Sequence, residues 1–529
     1  MDSSFPVFKD WVPRWLAKII LFSVFLPSLV LFFLPLSNIN AAAGYYGSEP
    51  ADIQFAVALF YAGYVGFYCL ERRFFSYLAA KEYFIVFTFL QMLTAFLCYE
   101  TQSLYVLFPV RFLQGMLFAS TVNLSLSLMF ARLKKERSRE IAYSVFFGML
   151  LCTMPFNNFV TADLIDAFNF NIVYKSAVFS YIPGLVLILI SMNNIRLNVR
   201  FPLYKLDWQS FSMYSAALCL LGYVLVFGQE YYWLEDLRVR NSVVTIAVLV
   251  LIFVLRQRSM KRPYLDLQIF RFRNFKAGIL LLFLMYLCRF ASGITNSFFA
   301  EVLKFDPQHV SYMNLWNITG LVTGVVVSCC LTLQQRPIRY SWLPGFLFLM
   351  LFHSIMFFLF DTQANEDVFF IPLLLQGMGV GMIMVPTIIY IISSVPVHMA
   401  PSAAAAGLAI RYLGFVASIA VMNYFELYER GYHFNVFREH ITAVDFAVKK
   451  AIAVHAHKMQ ASGVSKTPSV KMAQKLLVGA ANNQTRIRFA MDYYEAMAFL
   501  MLATMILIIL FPYLNRTSVY LRARRLSPA

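Results

Sequence analysis

Three arginines stand inside apolar runs: Arg111 in "LFPVRFLQGMLFAS" (107–120), Arg289 in "LLLFLMYLCRFASGITNSFF" (280–299) and Arg411 in "AAAAGLAIRYLGFVASIAV" (403–421). A guanidinium in hydrocarbon costs at least ~2.5–3.5 kcal/mol on insertion scales. A chain that accepts this cost three times uses the charges to bind an acidic group, to switch partners between conformations, or to hold the carbonyls of neighbouring helices. No carboxylate sits at the centre of any apolar run. Glu100 and Glu301, near run ends, are the candidates for taking up and releasing a proton. Arg289 lies roughly 18 Å along a helix from Glu301, too far for the two to pair within one element.

Amides and aromatics supply the other candidate contacts. Pro155 with Asn157 and Asn158 interrupts one run and offers amides to a cavity, and Asn296 does the same in the second half. Gln114, beside Arg111, either binds substrate or bonds between helices. Tyr61 and Tyr64 offer stacking surfaces to a hydrophobic molecule. The closely spaced Gly377, Gly379 and Gly381 in "QGMGVGM" lie within an apolar run and lack the Lys-Ser/Thr of a phosphate loop. They fit close helix approach, as does Gly115. No nucleotide-binding motif and no metal-ligand spacing appears, so energy must come from an ion gradient or from the substrate's own gradient.

These residues must be positioned by membrane helices. The chain has 529 residues, 60% hydrophobic and 13% charged, with mean hydropathy +0.66; soluble domains run near 45–50% apolar and about 25% charged. Fourteen runs are long enough to cross a hydrocarbon core of roughly 30 Å, at about 17–36, 53–70, 83–99, 103–128, 141–162, 172–192, 210–228, 241–255, 277–299, 310–333, 342–360, 368–392, 402–425 and 491–513. Lys and Arg crowd alternate connections, such as "RLKKERSR" (132–139) and "RQRSMKRPYLDLQIFRFRNFK" (256–276). The opposite short connections hold only Lys175, Arg238, Arg240 and Lys304. Under the positive-inside rule this puts both termini in the cytoplasm. The net charge of +17 is thus a topology signal rather than a nucleic-acid footprint.

"RFLQGM" (111–116) and "LLLQGM" (373–378) share four letters. They take equivalent places if the fourteen spans divide as six, two and six. The expected organisation is all-α: an N-terminal six-helix bundle (1–200), an inserted helix pair (201–262) and a C-terminal six-helix bundle (263–529). An outer segment at 430–488 holds one helix-like stretch (434–459), a turn-rich break and a second short helix (470–483).

The motifs in combination resemble the major facilitator superfamily, and within it the fourteen-span drug:proton antiporters of multidrug efflux. The fourth-span stretch 107–120 is similar to that family's Arg-x-x-Gln-Gly pattern, and 403–421 to its Arg-x-x-Gly pattern, with Gly414 as the glycine. "GFYCLERRFF" (66–75) keeps Gly66, Glu71, Arg72 and Arg73 of the loop that gates the cytoplasmic side, without its usual Asp and second Gly. Of the fifth-helix antiporter motif only Pro155 matches. The resemblance implies an exporter, not an enzyme, in a bacterial inner membrane. It would move amphipathic or lipophilic drug-like small molecules outward by proton-coupled alternating access. Its partners would be the substrate, the lipid bilayer, and a periplasmic adaptor leading to an outer-membrane channel. A non-transporting scaffold or sensor of the same fold, and an uptake carrier or uniporter, are the alternatives.

Overall fold

The computed structural model describes residues 7–75, 78–132, 138–196, 206–442 and 445–511. Within them the chain is helical, and fourteen helices are long and apolar enough to cross a membrane. The first bundle comprises α1 (Arg14–Phe33), a short α2 (Ile39–Tyr46), α3 (Pro50–Phe75), α4 (Ala80–Glu100), α5 (Leu104–Arg132), α6 (Ser138–Ala167) and α7 (Ile172–Ser191). The inserted pair is α8 (Trp208–Phe227) and α9 (Leu237–Ser259). The second bundle starts with α10 (Arg273–Arg289) and α11 (Ser292–Glu301), two pieces of one span. It continues with α12 (Pro307–Leu333), α13 (Arg339–Leu359), α14 (Phe370–Ser393) and α15 (Ala400–Tyr424). Outside the bundle, α16 (Arg430–His440) and α17 (Phe446–Ala461) form a cap, and α18 (Lys466–Leu510) runs from the cap back across the membrane.

Two corrections to the sequence expectation concern the cap. The stretch 434–459 forms two helices, α16 and α17, instead of one. The stretch 470–483 is no separate helix but the first part of α18, whose 45 residues reach roughly 68 Å. Pro468 falls in its first turn, where a missing N–H costs nothing, and nothing from there to the membrane breaks the helix.

The two bundles repeat each other at their tightest contact. In the first, α3 packs on α5; in the second, α12 packs on α14. A Cβ on Gly115 would fall 1.9 Å from the Phe60 carbonyl oxygen, and one on Gly63 would fall 2.2 Å from that of Phe112. In the second bundle a Cβ on Gly377 would fall 2.2 Å from the Asn317 carbonyl oxygen, and one on Gly320 would fall 2.1 Å from that of Leu374. Each pair is a reciprocal glycine contact that lets two backbones touch. The glycine of the repeated Leu-Gln-Gly-Met is one half of it both times. Gly379 meets the Gly345 carbonyl of α13, Gly381 the Leu321 carbonyl of α12, and Gly414 the Tyr286 Cβ of α10.

The inserted pair seats on the seam. α8 packs against both α3 and α15, while α9 packs mainly on α8. The Tyr412 hydroxyl donates to the Leu218 carbonyl at 2.7 Å, and Asn423 donates to that of Val226 at 2.9 Å. At the other end, Asp207 caps α8 through the Ser210 N–H at 3.2 Å and pairs with Arg256 of α9 at 3.0 Å. Ser210 accepts from Arg256 Nε and Gln257, and the Tyr264 hydroxyl reaches the Gly66 carbonyl. Burial opposes the charge on Asp207, but the bonds from Ser210 and Arg256 outweigh it and hold the carboxyl below its ordinary value.

Gly115→Ala should lower the thermal midpoint of the purified protein, at a cost of ~1–3 kcal/mol for overpacking. Gly44→Ala, on a helix with open space around the added methyl, should raise it, through a stability gain of about 0.5–1 kcal/mol. Because its folded pKa is depressed, Asp207 contributes stability above its unfolded pKa of about 3.9, and that contribution disappears as pH falls through the folded value. Asp207→Asn should therefore flatten the acid limb of a stability-versus-pH curve relative to the parent.

Candidate functional site

Each bundle begins with a span that breaks, and the breaks fix the site. In the first bundle α1 ends at Phe33 and a 3₁₀ turn follows at Leu34–Leu36. Pro35 has no N–H to return to the Leu31 carbonyl. Arg111 supplies the donors: its Nη1 reaches the Leu31 carbonyl at 3.0 Å and Gln114 Oε1 at 2.8 Å, and its Nη2 reaches the Phe32 carbonyl at 2.7 Å. Asn157 of α6 satisfies the preceding carbonyl, Val30, at 2.8 Å. With its amide nitrogen turned toward them, Asn158 donates to the carbonyls of Ser37 and Met154. Arg111 is fully buried, over the Phe60 ring at 4.6 Å.

In the second bundle the break falls at Phe290 and Ala291, directly after Arg289. The Gly293 N–H bonds to the Phe290 carbonyl at 3.1 Å, and Gln376 Nε2 takes the Arg289 carbonyl at 3.3 Å. Asn317 ties the same glutamine to the Leu373 carbonyl, with 3.1 Å to each. Both copies of the repeated motif thus place a glutamine beside the broken first span of their bundle.

Arg289 and Arg411 act across the seam between bundles. Arg289 Nη2 donates to the Leu151 carbonyl of α6 at 3.1 Å, with its guanidinium near the Tyr286 and Phe290 rings. Arg411 stands over the Phe147 ring of α6 at 5.1 Å. Its neighbours include Tyr61, Tyr286, Tyr64 and Tyr68. Nε and Nη1 of Arg411 are buried without a hydrogen-bond acceptor.

Two cavities lie at this seam. The first has a volume of about 40 Å³ and is lined by Pro155, Asn158, Arg289, Asn296, Asn314 and Gln376, among others. The second has a volume of about 30 Å³ and is lined by Arg411, Tyr64, Tyr68, Tyr143, Phe146 and Phe147, among others. An aromatic bridge links them: Phe290 of the first packs on Phe415 at 4.9 Å, and Phe415 is one turn along α15 from Arg411. Phe33 and Tyr61 meet Phe415 from the first bundle, at 6.2 and 5.8 Å. Among the described residues no carboxylate lines either cavity.

The remaining candidates lie elsewhere. Glu100 is exposed at the end of α4. Glu301, at the end of α11, forms an ion pair with Arg486 of α18. Glu71 is buried and accepts from the Tyr83 hydroxyl at 2.8 Å; the side chains of Arg72 and Arg73 lie outside the described residues. Glu429, His433 and Asp492 bring ligand atoms within 4.8 Å of one another at the base of the cap, although no sequence spacing announced it. Sequence reasoning named Pro155 and Asn158, which line the first cavity, but expected an interruption where α6 runs on through Pro155, and it missed Phe147 and Leu151 on the same face. Phe147, Leu151, Pro155 and Asn158 recur at three to four residues, and that period marks one helical face, here the one turned to both arginines.

This arrangement defines a membrane carrier: two repeated bundles, each with a broken first span, around cavities at their interface. The chain matches the Major Facilitator Superfamily over residues 18–419 and belongs to it. It is accordingly an integral membrane transporter rather than an enzyme. It is 22% identical over 345 residues to the "Colistin resistance protein EmrB" of Acinetobacter baumannii, a match covering 62% of this chain and 64% of that relative. Similar folds include a peptide transporter POT solved with sulfate (12% identity, TM-score 0.56, 94% of this chain and 96% of that one). A POT family transporter with a thioalcohol-conjugated peptide reaches a TM-score of 0.60 at 12% identity, with the same coverage. A point mutant of the nucleoside transporter NupG gives 0.52 at 12% identity, covering 92% of this chain and 99% of that one.

Acceptors of its own bundle engage both Nη atoms of Arg111 and leave only Nε without one, so its role is to hold the α1 break. Arg111→Ala should leave the Leu31 and Phe32 carbonyls bare and lower the thermal midpoint by several degrees, since each charge-assisted bond is worth ~1.5–3 kcal/mol. Arg111→Lys, which cannot reproduce the planar fork, should recover only part of the loss.

Proposed function

We propose that this transporter exports amphipathic or lipophilic small molecules across a bacterial inner membrane by alternating access, with inward protons as the driving flow. The observation that carries this reading is the pair of cavities at the bundle seam, with the two incompletely paired membrane-interior cations facing them. Their aromatic walls suit an apolar cargo, which cavities of about 40 and 30 Å³ admit only once the bundles rock apart; small-molecule sites usually hold about 300–1,000 Å³. The relative connected with colistin resistance adds support. The basic connections favour cytoplasmic termini, which puts α16 and α17 outside, where a periplasmic adaptor would meet them.

Proton coupling rests on the acids at the cap side. The Glu301–Arg486 pair joins α11 to the long α18, and protonation of Glu301 would release it. The lack of a carboxylate in either cavity lining favours one alternative, a uniporter running on the substrate's own gradient.

Purified protein in vesicles with an acidic interior, given a panel of fluorescent amphiphiles of either charge and none, separates these readings. Accumulation of at least one dye, abolished when an ionophore collapses the pH gradient, is the expected result. Dye movement indifferent to that gradient would replace proton antiport with uniport. No movement of any dye would leave only the scaffold reading.

A further inference from the structure

We infer that the cargo of the seam cavities is an amphipathic anion, whose carboxylate, sulfonate or phosphate is received by Arg411. This rests on the transport reading above and narrows it to a substrate class. The three interior arginines are not equivalent. Arg111 has three oxygen acceptors within its own bundle, and only its Nε is buried without one. Arg289 has one, the Leu151 carbonyl. Arg411, 5% exposed, has Nε and Nη1 buried with no acceptor. Nε and Nη1 lie on different edges of the planar guanidinium, and each edge, completed by Nη2, is a fork that can bind a carboxylate or phosphate bidentately.

Nothing in the walls supplies the missing negative charge. Around Arg411 the second cavity offers phenols (Tyr64, which is hydrogen-bonded to Arg411 but neutral, Tyr68 and Tyr143), phenyl rings (Phe146, Phe147) and aliphatic groups. The first cavity, beyond the aromatic bridge, holds a second guanidinium and amides. A buried charge without a partner is costly, and a cationic cargo would add to it. An anionic cargo removes it, with its apolar part against Phe146 and Phe147 and its charged group on the fork. Arg289 then provides a second cation on the same route, one bond from freedom. The guanidinium keeps its charge at any working pH, so recognition needs no titration of the site.

The test is equilibrium binding by the purified full chain in a non-ionic detergent, with three probes sharing one ring system: 2-naphthalenesulfonate, 2-naphthylmethanol and (2-naphthylmethyl)trimethylammonium. The wild-type protein should bind the sulfonate at least ~10-fold more tightly than the ammonium, since a charge-assisted bond is worth ~10-fold or more. In Arg411→Gln the sulfonate-to-alcohol affinity ratio should fall by a similar factor, and Arg411→Lys should retain part of it. Equal binding of ammonium and sulfonate by the wild type would overturn the inference whether or not the variants fold. So would an unchanged ratio in a folded Arg411→Gln. Binding and flux fail separately: sulfonate binding without flux in vesicles would sink the export reading alone, while flux of cations with no sulfonate preference would sink this inference alone.

Discussion

In hydrocarbon a backbone carbonyl released from a helix has no water to turn to, and every such group must find a donor in the protein. The whole centre of this molecule answers that demand. Breaking α1 frees carbonyls at Val30, Leu31 and Phe32, and Asn157 and Arg111 take them. Breaking the span between α10 and α11 frees the Arg289 carbonyl, and Gln376 takes it. The polar residues most conspicuous in the sequence are therefore committed first to the backbone. What remains uncommitted, chiefly Arg411 and part of Arg289, is what can serve a cargo.

The same division separates rigid from movable contacts. Within each bundle, reciprocal glycines bring α3 onto α5 and α12 onto α14 with backbone against backbone. Such contacts have no slack. Across the seam the ties at the two arginines are one hydrogen bond to a carbonyl and a guanidinium resting on a ring, flanked by aromatic edges around Phe415. Two stiff bodies joined by few polar bonds and slippery rings are what rocking between access states needs. Helix α8, packed on both α3 and α15, bridges the seam, with Tyr412 and Asn423 bonded to its carbonyls.

The fold was legible because membrane spans announce themselves by length and hydropathy, which are local properties. The repeated Leu-Gln-Gly-Met was legible for a subtler reason. Its glycine has one task in both bundles, helix approach, while its glutamine serves each break differently, Gln114 by accepting from Arg111 and Gln376 by donating to the Arg289 carbonyl. The site was legible only in part. Arg111, Arg289 and Arg411 stood out by type, but which of them is satisfied depends on a proline in another helix and on a break that no residue in "CRFAS" marks by propensity. Part of the α6 face escaped because Phe147 and Leu151 look like any other apolar residues. The cap was misread because propensity does not say whether neighbouring helical stretches stay joined.

The two motif copies also differ in one informative way. Where the first bundle has Arg111, the second has Leu373, whose carbonyl is served by Asn317. The neutral amides of Asn317 and Gln376 do for the second break what a guanidinium does for the first. A charge is thus unnecessary for mending a broken span. Arg289 still has a backbone task, since Pro155 has no N–H to return to the Leu151 carbonyl that Arg289 takes, but no such task accounts for Arg411 on the facing helix. Both point across the seam to the same α6 face, and neither has a carboxylate there to meet. A second bundle that mends its own break with neutral groups and still carries Arg411 at the interface, with Nε and Nη1 lacking acceptors, has a charge to spare for a cargo.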